Sequence, residues 1–105
     1  MAFPKLGSFR KTAWDMAKEK KITRLEVEIL LWLSEQEWAS QNQIFLNVPC
    51  SKPSVVESMR RLEETGWVRI ARKEYQIRGI SRMYVVTRKA RSMVTSFYLK
   101  IQGNG

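Results

Sequence analysis

The hydrophobic period of this chain switches at Gly66 from helical to strand-like, and switches back after Thr87. Before Gly66, apolar residues recur every three or four positions, as on one face of a helix. From Trp67 to Arg72, apolar and basic residues alternate, as on a half-buried strand. The helical part divides by its own start and stop signals. Thr23 with Glu26, and Ser40 with Gln43, each fit a capping box, in which each side chain satisfies the other residue's free backbone N–H. Leu25, Ile29, Trp32 and Leu33 mark the core face of the helix after Thr23. Ile44, Phe45 and Val48 do so for a short helix after Ser40, which Pro49 stops. A third helix is expected over about 52–65: Ser51 caps it, Pro53 is tolerated in its first turn and Gly66 ends it. Its Val55, Met59 and Leu62 are spaced i, i+4, i+7 and share one buried face.

Helical spacing also marks both ends. Leu6, Phe9, Ala13 and Ala17 stripe a basic helix over 4–20, entered through Pro4, Gly7 and Ser8, with Trp14 beside the stripe. Ala90, Val94, Phe97 and Ile101 stripe a C-terminal helix over 88–102, and Gly103-Asn104-Gly105 should fray. Met83-Tyr84-Val85-Val86-Thr87 is a second β-rich run, joined to the first by a basic loop from Lys73 to Arg82 with Gly79 as turn element. The expected fold is mainly α with a small β-hairpin: an α-α-α-β-β core over 23–87 with an extra helix at each end, in one domain, 1–105. Three helices followed by a hairpin form the winged helix-turn-helix arrangement. Trp32, Trp38 and Trp67 are assigned to its core or core rim.

Charge points to a partner. The chain carries 19 Lys and Arg against 10 Asp and Glu, a net charge of +9 over 105 residues. Residues 67–105 hold nine of those cations against Glu74 alone, whereas residues 22–50 hold Arg24 against Glu26, Glu28, Glu35 and Glu37. An acidic first core helix and a basic second half make a two-sided molecule whose positive side suits a polyanion, nucleic acid first and an anionic membrane surface second. The longest apolar stretch, Ile29 to Leu33, is far short of a membrane span. Lys5, Arg10, Lys11 and Asp15 break any signal-like run, and Cys50 is the only cysteine, so a reducing cytoplasm is the expected compartment.

Catalysis has no apparatus in this sequence. Histidine is absent, and there is no nucleophile-base-orienter set and no glycine-rich phosphate loop. Glu26 and Glu28 do not share a helix face, and Glu63 and Glu64 diverge. No cofactor and no metal is expected, and the chain reads as a binder, not an enzyme.

The run Ser51-Lys52-Pro53-Ser54-Val55-Val56-Glu57-Ser58-Met59-Arg60-Arg61-Leu62-Glu63-Glu64-Thr65-Gly66-Trp67-Val68 resembles the recognition helix and exit of MarR-type winged-helix regulators. Tyr84-Val85-Val86-Thr87-Arg88-Lys89-Ala90-Arg91 resembles that family's exit from the wing into a basic helix. The chain departs from the pattern in having no Asp before Arg82 to brace the wing, and Ala90 where glycine is usual. The resemblance covers roughly residues 23 to 95 and implies a transcription regulator that binds double-stranded DNA.

A helix-turn-helix places the start of its second helix against base edges in the major groove. Here that start is Ser51, Lys52, Pro53 and Ser54, followed by Glu57, Ser58 and Arg61, expected on the exposed side. Lys52 suits a guanine and Glu57 a cytosine amine, while Arg61 suits a phosphate, as do the backbone N–H groups of the first turn. The basic wing, about 72–82, offers Arg72, Lys73, Arg78 and Arg82, with Arg69 at its base. Arg72, Lys73 and Arg78 are the choices for the narrow minor groove. The alternative is a basic hairpin edge that discourages edge-to-edge pairing. Tyr75 either stacks on a base or sugar or simply packs. A homodimer through Leu6, Phe9, Trp14, Phe97 and Tyr98 would set two recognition helices ~34 Å apart; the competing arrangement folds both ends onto the chain's own core. Two other functions stay open: a protein-interaction module in a transcription or replication assembly, using Glu28 and Glu35 on the outer side of the first core helix, and sequence-independent nucleic-acid binding by charge. Cys50, at the start of the recognition helix, is either a thiol made acidic by the helix dipole or a small turn-filling residue.

Overall fold

Each of the three central helices begins where a hydroxyl side chain accepts a free backbone N–H. Thr23 caps α2 (Arg24–Leu33), Ser40 caps α3 (Gln41–Asn47) and Ser51 caps α4 (Lys52–Glu64). The first two caps are complete boxes, with Glu26 and Gln43 reaching back to the cap N–H at 2.9 and 2.8 Å. The computed structural model describes residues 6–103. Flanking the three are α1 (Leu6–Lys20) and α5 (Arg88–Gly103), with the strands β1 (Val68–Gln76) and β2 (Gly79–Val86) between α4 and α5. Pro4 and Lys5 of the expected first helix lie outside the described residues.

Two helix ends show how local chemistry sets direction. After α4, Gly66 adopts φ +81 while the N–H of Trp67 reaches Leu62 O at 2.8 Å and that of Gly66 reaches Glu63 O at 3.2 Å. This is the paired C-terminal motif that glycine favours, and it turns the chain into β1. The same motif ends α1, where Ile22 N–H bonds Ala17 O at 3.0 Å, but the left-handed position is Lys21, at φ +58. A side chain there is strained because its Cβ crowds the carbonyl. Lys21→Gly should therefore raise stability by about 0.5–1 kcal/mol, offset in part by the looser unfolded chain; thermal unfolding should show Tm rising by a few degrees.

The core joins all of these elements. Ala13, Met16 and Ala17 of α1, Val27, Ile29, Leu30, Leu31 and Leu33 of α2, Ile44 of α3, Val55, Met59 and Leu62 of α4, and Ala90, Met93, Val94, Phe97 and Ile101 of α5 are all buried. The expected core residues of α4 (Val55, Met59, Leu62) and of α5 (Ala90, Val94, Phe97, Ile101) are all buried, with Ser58 and Met93 joining them. The expected face of α2 needs correction: Leu25 and Trp32 are only partly buried, while Val27, Leu30 and Leu31 are buried as well. α2 touches α1, α3, α4, α5 and β2, so it has almost no solvent side and a single stripe does not describe it.

The hairpin differs most from expectation. Its strands were expected over 67–72 and 83–87 with a basic loop of Lys73 to Arg82 between them. Instead the ladder runs on through Lys73↔Arg82, Tyr75↔Ile80 and Gln76↔Gly79, leaving Ile77 and Arg78 as the whole turn. Beyond the bulge at Ala71, from Arg72 to Ile80, no residue is buried. With both faces in water, that stretch has no apolar alternation to betray it, and its strands are held by backbone pairing. Ala39 adds a short third partner, exchanging N–H···O bonds of 3.0 and 2.8 Å with Tyr84.

Thr87 and Lys89 explain the wing-exit motif physically. The Thr87 hydroxyl donates to Gly66 O at 2.7 Å and accepts the Ala90 N–H at 3.5 Å. Lys89 Nζ donates to Thr65 O at 2.9 Å and stands over the Trp67 ring, 4.2 Å from its centroid. The end of α4 and the start of α5 are thereby tied together, with a cation on the negative end of a helix.

Candidate nucleic-acid interface

The start of α4 is an exposed, well-capped helix end. Ser51 Oγ accepts the Ser54 N–H at 3.3 Å and shares a hydrogen bond with Ser54 Oγ at 2.8 Å. Ser51, Lys52 and Pro53 are exposed and Ser54 half-buried. Lys52 Nζ stands 5.4 Å from the Phe45 ring centroid, beside a shallow cleft between α3 and α4 lined by Gln41, Asn42, Phe45, Val55 and Val56. Four of the expected α4 residues therefore cluster at one accessible helix end.

The next turns are arranged differently from the sequence reading. Ser58, placed on the exposed side, is 1 % exposed and faces the core; it lies three residues after Val55 and four before Leu62, on their face, and its small size admits it there. Arg61 is a structural tie as much as a free cation. Its Nε lies 3.5 Å from the carboxylate of Glu26, which is 3 % exposed, so α4 is tied to the capping box of α2. Sequence periodicity had no means of pairing residues 35 positions apart in different helices. Glu57 is exposed but engaged: Arg60 grips it, and Arg61 lies 3.5 Å away. The Arg60 hydrogen bond holds the Glu57 carboxyl below the usual carboxylate range. Arg60 also reaches Glu64 at 2.9 Å, so the outward side of α4 beyond its first turn is largely self-neutralised.

On the hairpin, the register sorts the cations by face. Directly paired residues share a face, which puts Lys73 with Arg82 on one side and Arg69 and Arg72 on the other, with Arg78 in the turn. Arg72 is occupied, 3.7 Å from Glu74 and 5.2 Å from the Trp38 ring centroid. Arg69, Lys73, Arg78 and Arg82 are exposed and have no acidic partner among the described residues. Tyr75 is 82 % exposed, which removes its packing alternative. Ile77 and Ile80, which the sequence reading passed over, are exposed beside it.

The expected dimer residues separate. Phe97 is fully buried in its own chain, with the Phe9 ring edge-on at 5.2 Å, and is therefore removed from any intermolecular face. α1 and α5 both pack onto the chain's own core, and Lys100 of α5 bonds Glu19 of α1 at 3.1 Å. Trp14 and Tyr98 remain exposed, as does Leu99; the side chain of Leu6 lies outside the described residues. Glu28 is half-buried and 3.6 Å from Arg24, and Glu35 accepts from Tyr98 Oη at 3.4 Å, so the proposed acidic contact surface is partly used internally.

Of the two readings of Cys50, the turn-filling residue is favoured over the acidic thiol. Burial, and then the negative charge of Glu28, push its pKa up, and its Sγ donates to Val48 O at 3.0 Å. At neutral pH the thiol stays protonated. Its alkylation by iodoacetamide should be slower than that of a cysteine in a short unstructured peptide, and should accelerate to match it in urea. A faster native rate would reverse this assignment.

Among the described residues, no group of three His, Cys, Asp or Glu side chains is placed to hold a metal ion, and no helix is long and apolar enough to cross a membrane.

A helix-turn-helix whose second helix leads into a β-hairpin and a returning helix is a winged helix, a fold that this chain shares with solved MarR-family regulators. A transcriptional regulator from Thermotoga maritima superposes with a TM-score of 0.76 over 90% of this chain, at 16% identity. MepR of S. aureus, solved in complex with DNA, gives 0.72 over 92% at 17% identity, and a MarR-family regulator from Silicibacter pomeroyi 0.72 over 93% at 14%. The chain spans 66%, 78% and 64% of those three proteins, respectively. No protein-family profile and no curated protein sequence matches it.

Proposed function

We propose that this chain is a winged-helix transcription regulator that binds double-stranded DNA, with the first turn of α4 in the major groove and the hairpin at the minor groove or backbone. The reading is carried by the exposed cations of the hairpin, Arg69, Lys73, Arg78 and Arg82, which lack acidic partners among the described residues, on a fold shared with a regulator solved on DNA. Within α4, base reading concentrates at Ser51, Lys52, Pro53 and Ser54, with Glu57 available only if Arg60 releases it. Arg61 and Ser58 take structural roles instead. The whole chain works as one winged-helix domain in a reducing cytoplasm, and as a homodimer whose contact uses Trp14, Tyr98 and Leu99, since Phe97 is consumed within the chain.

Selection of bound fragments from random duplex DNA, repeated at two salt concentrations, tests this. Enrichment of a two-fold symmetric sequence, with affinity falling steeply as salt rises, supports a dimeric regulator. Tight binding with no enriched sequence at either salt concentration leaves the charge-only reading. No binding to any duplex removes the proposal, and the self-neutralised Glu57–Arg60–Glu64 side of α4 then becomes the place to seek a protein partner.

A further inference from the structure

The far half of the hairpin carries an order of side chains that phosphate binding alone does not require. Along one face, toward the tip, come the cation pair Lys73↔Arg82, then the apolar pair Tyr75↔Ile80, then the turn Ile77-Arg78. Ile77 is completely exposed, Tyr75 is 82 % exposed and Ile80 51 %. Single exposed apolar residues need no explanation, but three gathered at the end of a projecting element mark a contact site. None of them supports the fold, because no residue from Arg72 to Ile80 is buried.

We infer that the hairpin tip is a wedge that enters the DNA minor groove and partly unstacks a base step at Ile77, bending the duplex. This rests on the DNA-binding reading above. Charge complementarity chooses the occupant: the apolar tip is backed by Lys73 and Arg82 and bordered by Arg78, while the one acid in the hairpin, Glu74, lies on the opposite face, 3.7 Å from Arg72. The dimensions agree. At ~3.3 Å per strand residue, Lys73 stands roughly 13 Å behind Ile77, comparable with a groove ~7.5 Å deep plus its phosphate rim. Cations at that height meet the phosphate walls while the tip meets the floor. Apolar side chains pressed into the minor groove open base steps and kink the duplex away from the protein, toward the major groove. Pyrimidine–purine steps, TA above all, resist least, so the tip adds a sequence preference without any hydrogen bond to a base.

The test uses the intact chain and duplexes obtained by the selection above, end-labelled for energy transfer, with 2-aminopurine scanned across the bound site. Wild-type protein should shorten the end-to-end distance and raise 2-aminopurine fluorescence at one step on each hairpin contact. Ile77→Ala and Ile77→Ser should keep affinity within about fivefold, yet abolish both signals. Arg78→Ala should weaken binding while a saturated complex stays bent. Replacing the brightened step by a stiff A-tract step should reduce wild-type bending and leave Ile77→Ala unaffected. A wild-type complex that binds tightly but stays straight, with 2-aminopurine dark throughout, overturns the wedge and leaves DNA binding standing. Failure to bind any duplex removes DNA binding itself. Capture of wild-type protein by vesicles of anionic lipid, lost in Ile77→Ala while duplex bending persists in that variant, also overturns the wedge and assigns the tip to a membrane surface.

Discussion

Replacing Phe97 by alanine is expected to remove about 3–5 kcal/mol of folding stability, a large share of the ~5–15 kcal/mol that a small domain holds. Phe97 has no exposed surface, and its ring meets Phe9 of α1 edge-on at 5.2 Å with an interplanar angle of 80°. Removing it empties the seam along which α5 packs on α1. The loss combines the transfer of a large apolar group with the cavity left behind, and forfeits an aromatic pair worth about 0.5–1.5 kcal/mol beyond its area. Urea unfolding should show a much lower midpoint at unchanged slope. Leu46→Ala, at an exposed position of α3, should change stability by no more than about 0.5 kcal/mol. If Phe97→Ala kept its midpoint and instead shifted the mass of the particle in solution, Phe97 would belong to a contact between copies and the seam between α1 and α5 would be wrongly drawn.

The second large effect concerns binding. Changing Lys73, Arg78 and Arg82 together to alanine should weaken duplex binding on the order of 10²-fold at moderate salt, and should make the plot of log affinity against log salt shallower by about three units. Each of these side chains is exposed and lacks an acidic partner among the described residues, so no ion pair is lost with it and the fold should be unaffected. All three can reach phosphates, and the loss should be nearly equal on every sequence. Lys52→Ala should behave differently: a modest loss, confined to the preferred sequence, with a salt slope changed by at most about one unit. Arg72→Ala is the internal control. Because Arg72 is already held by Glu74 and Trp38, its removal should alter the salt slope less than any of the three. Fluorescence anisotropy across a salt series distinguishes all of these. A triple variant with an unchanged slope would exclude the hairpin from the interface.

Much of this architecture was legible because it is written in local chemistry. The caps at Thr23, Ser40 and Ser51 need only residues three apart, and all three form. The buried faces of α4 and α5 follow from helical spacing, and Gly66 from the left-handed turn it must make. The far hairpin reads as a loop in sequence because backbone pairing, unlike a buried face, leaves no period in the side chains. The burial of Ser58 was missed because a polar residue on a core face looks, in sequence, like an exposed one.

What the order of residues determined unaided was the succession of helices and strands, the starts of the capped helices and the end of α4 at Gly66, and the accumulation of positive charge after it. Those depend on interactions within a few residues of one another, or on composition. Which cations stay free, and how the terminal helices seat, was decided only when distant segments met: Glu26 met Arg61, Trp38 met Arg72, and Phe9 met Phe97. Such meetings are set by how helices and strands pack in three dimensions, and separation along the chain carries no record of them.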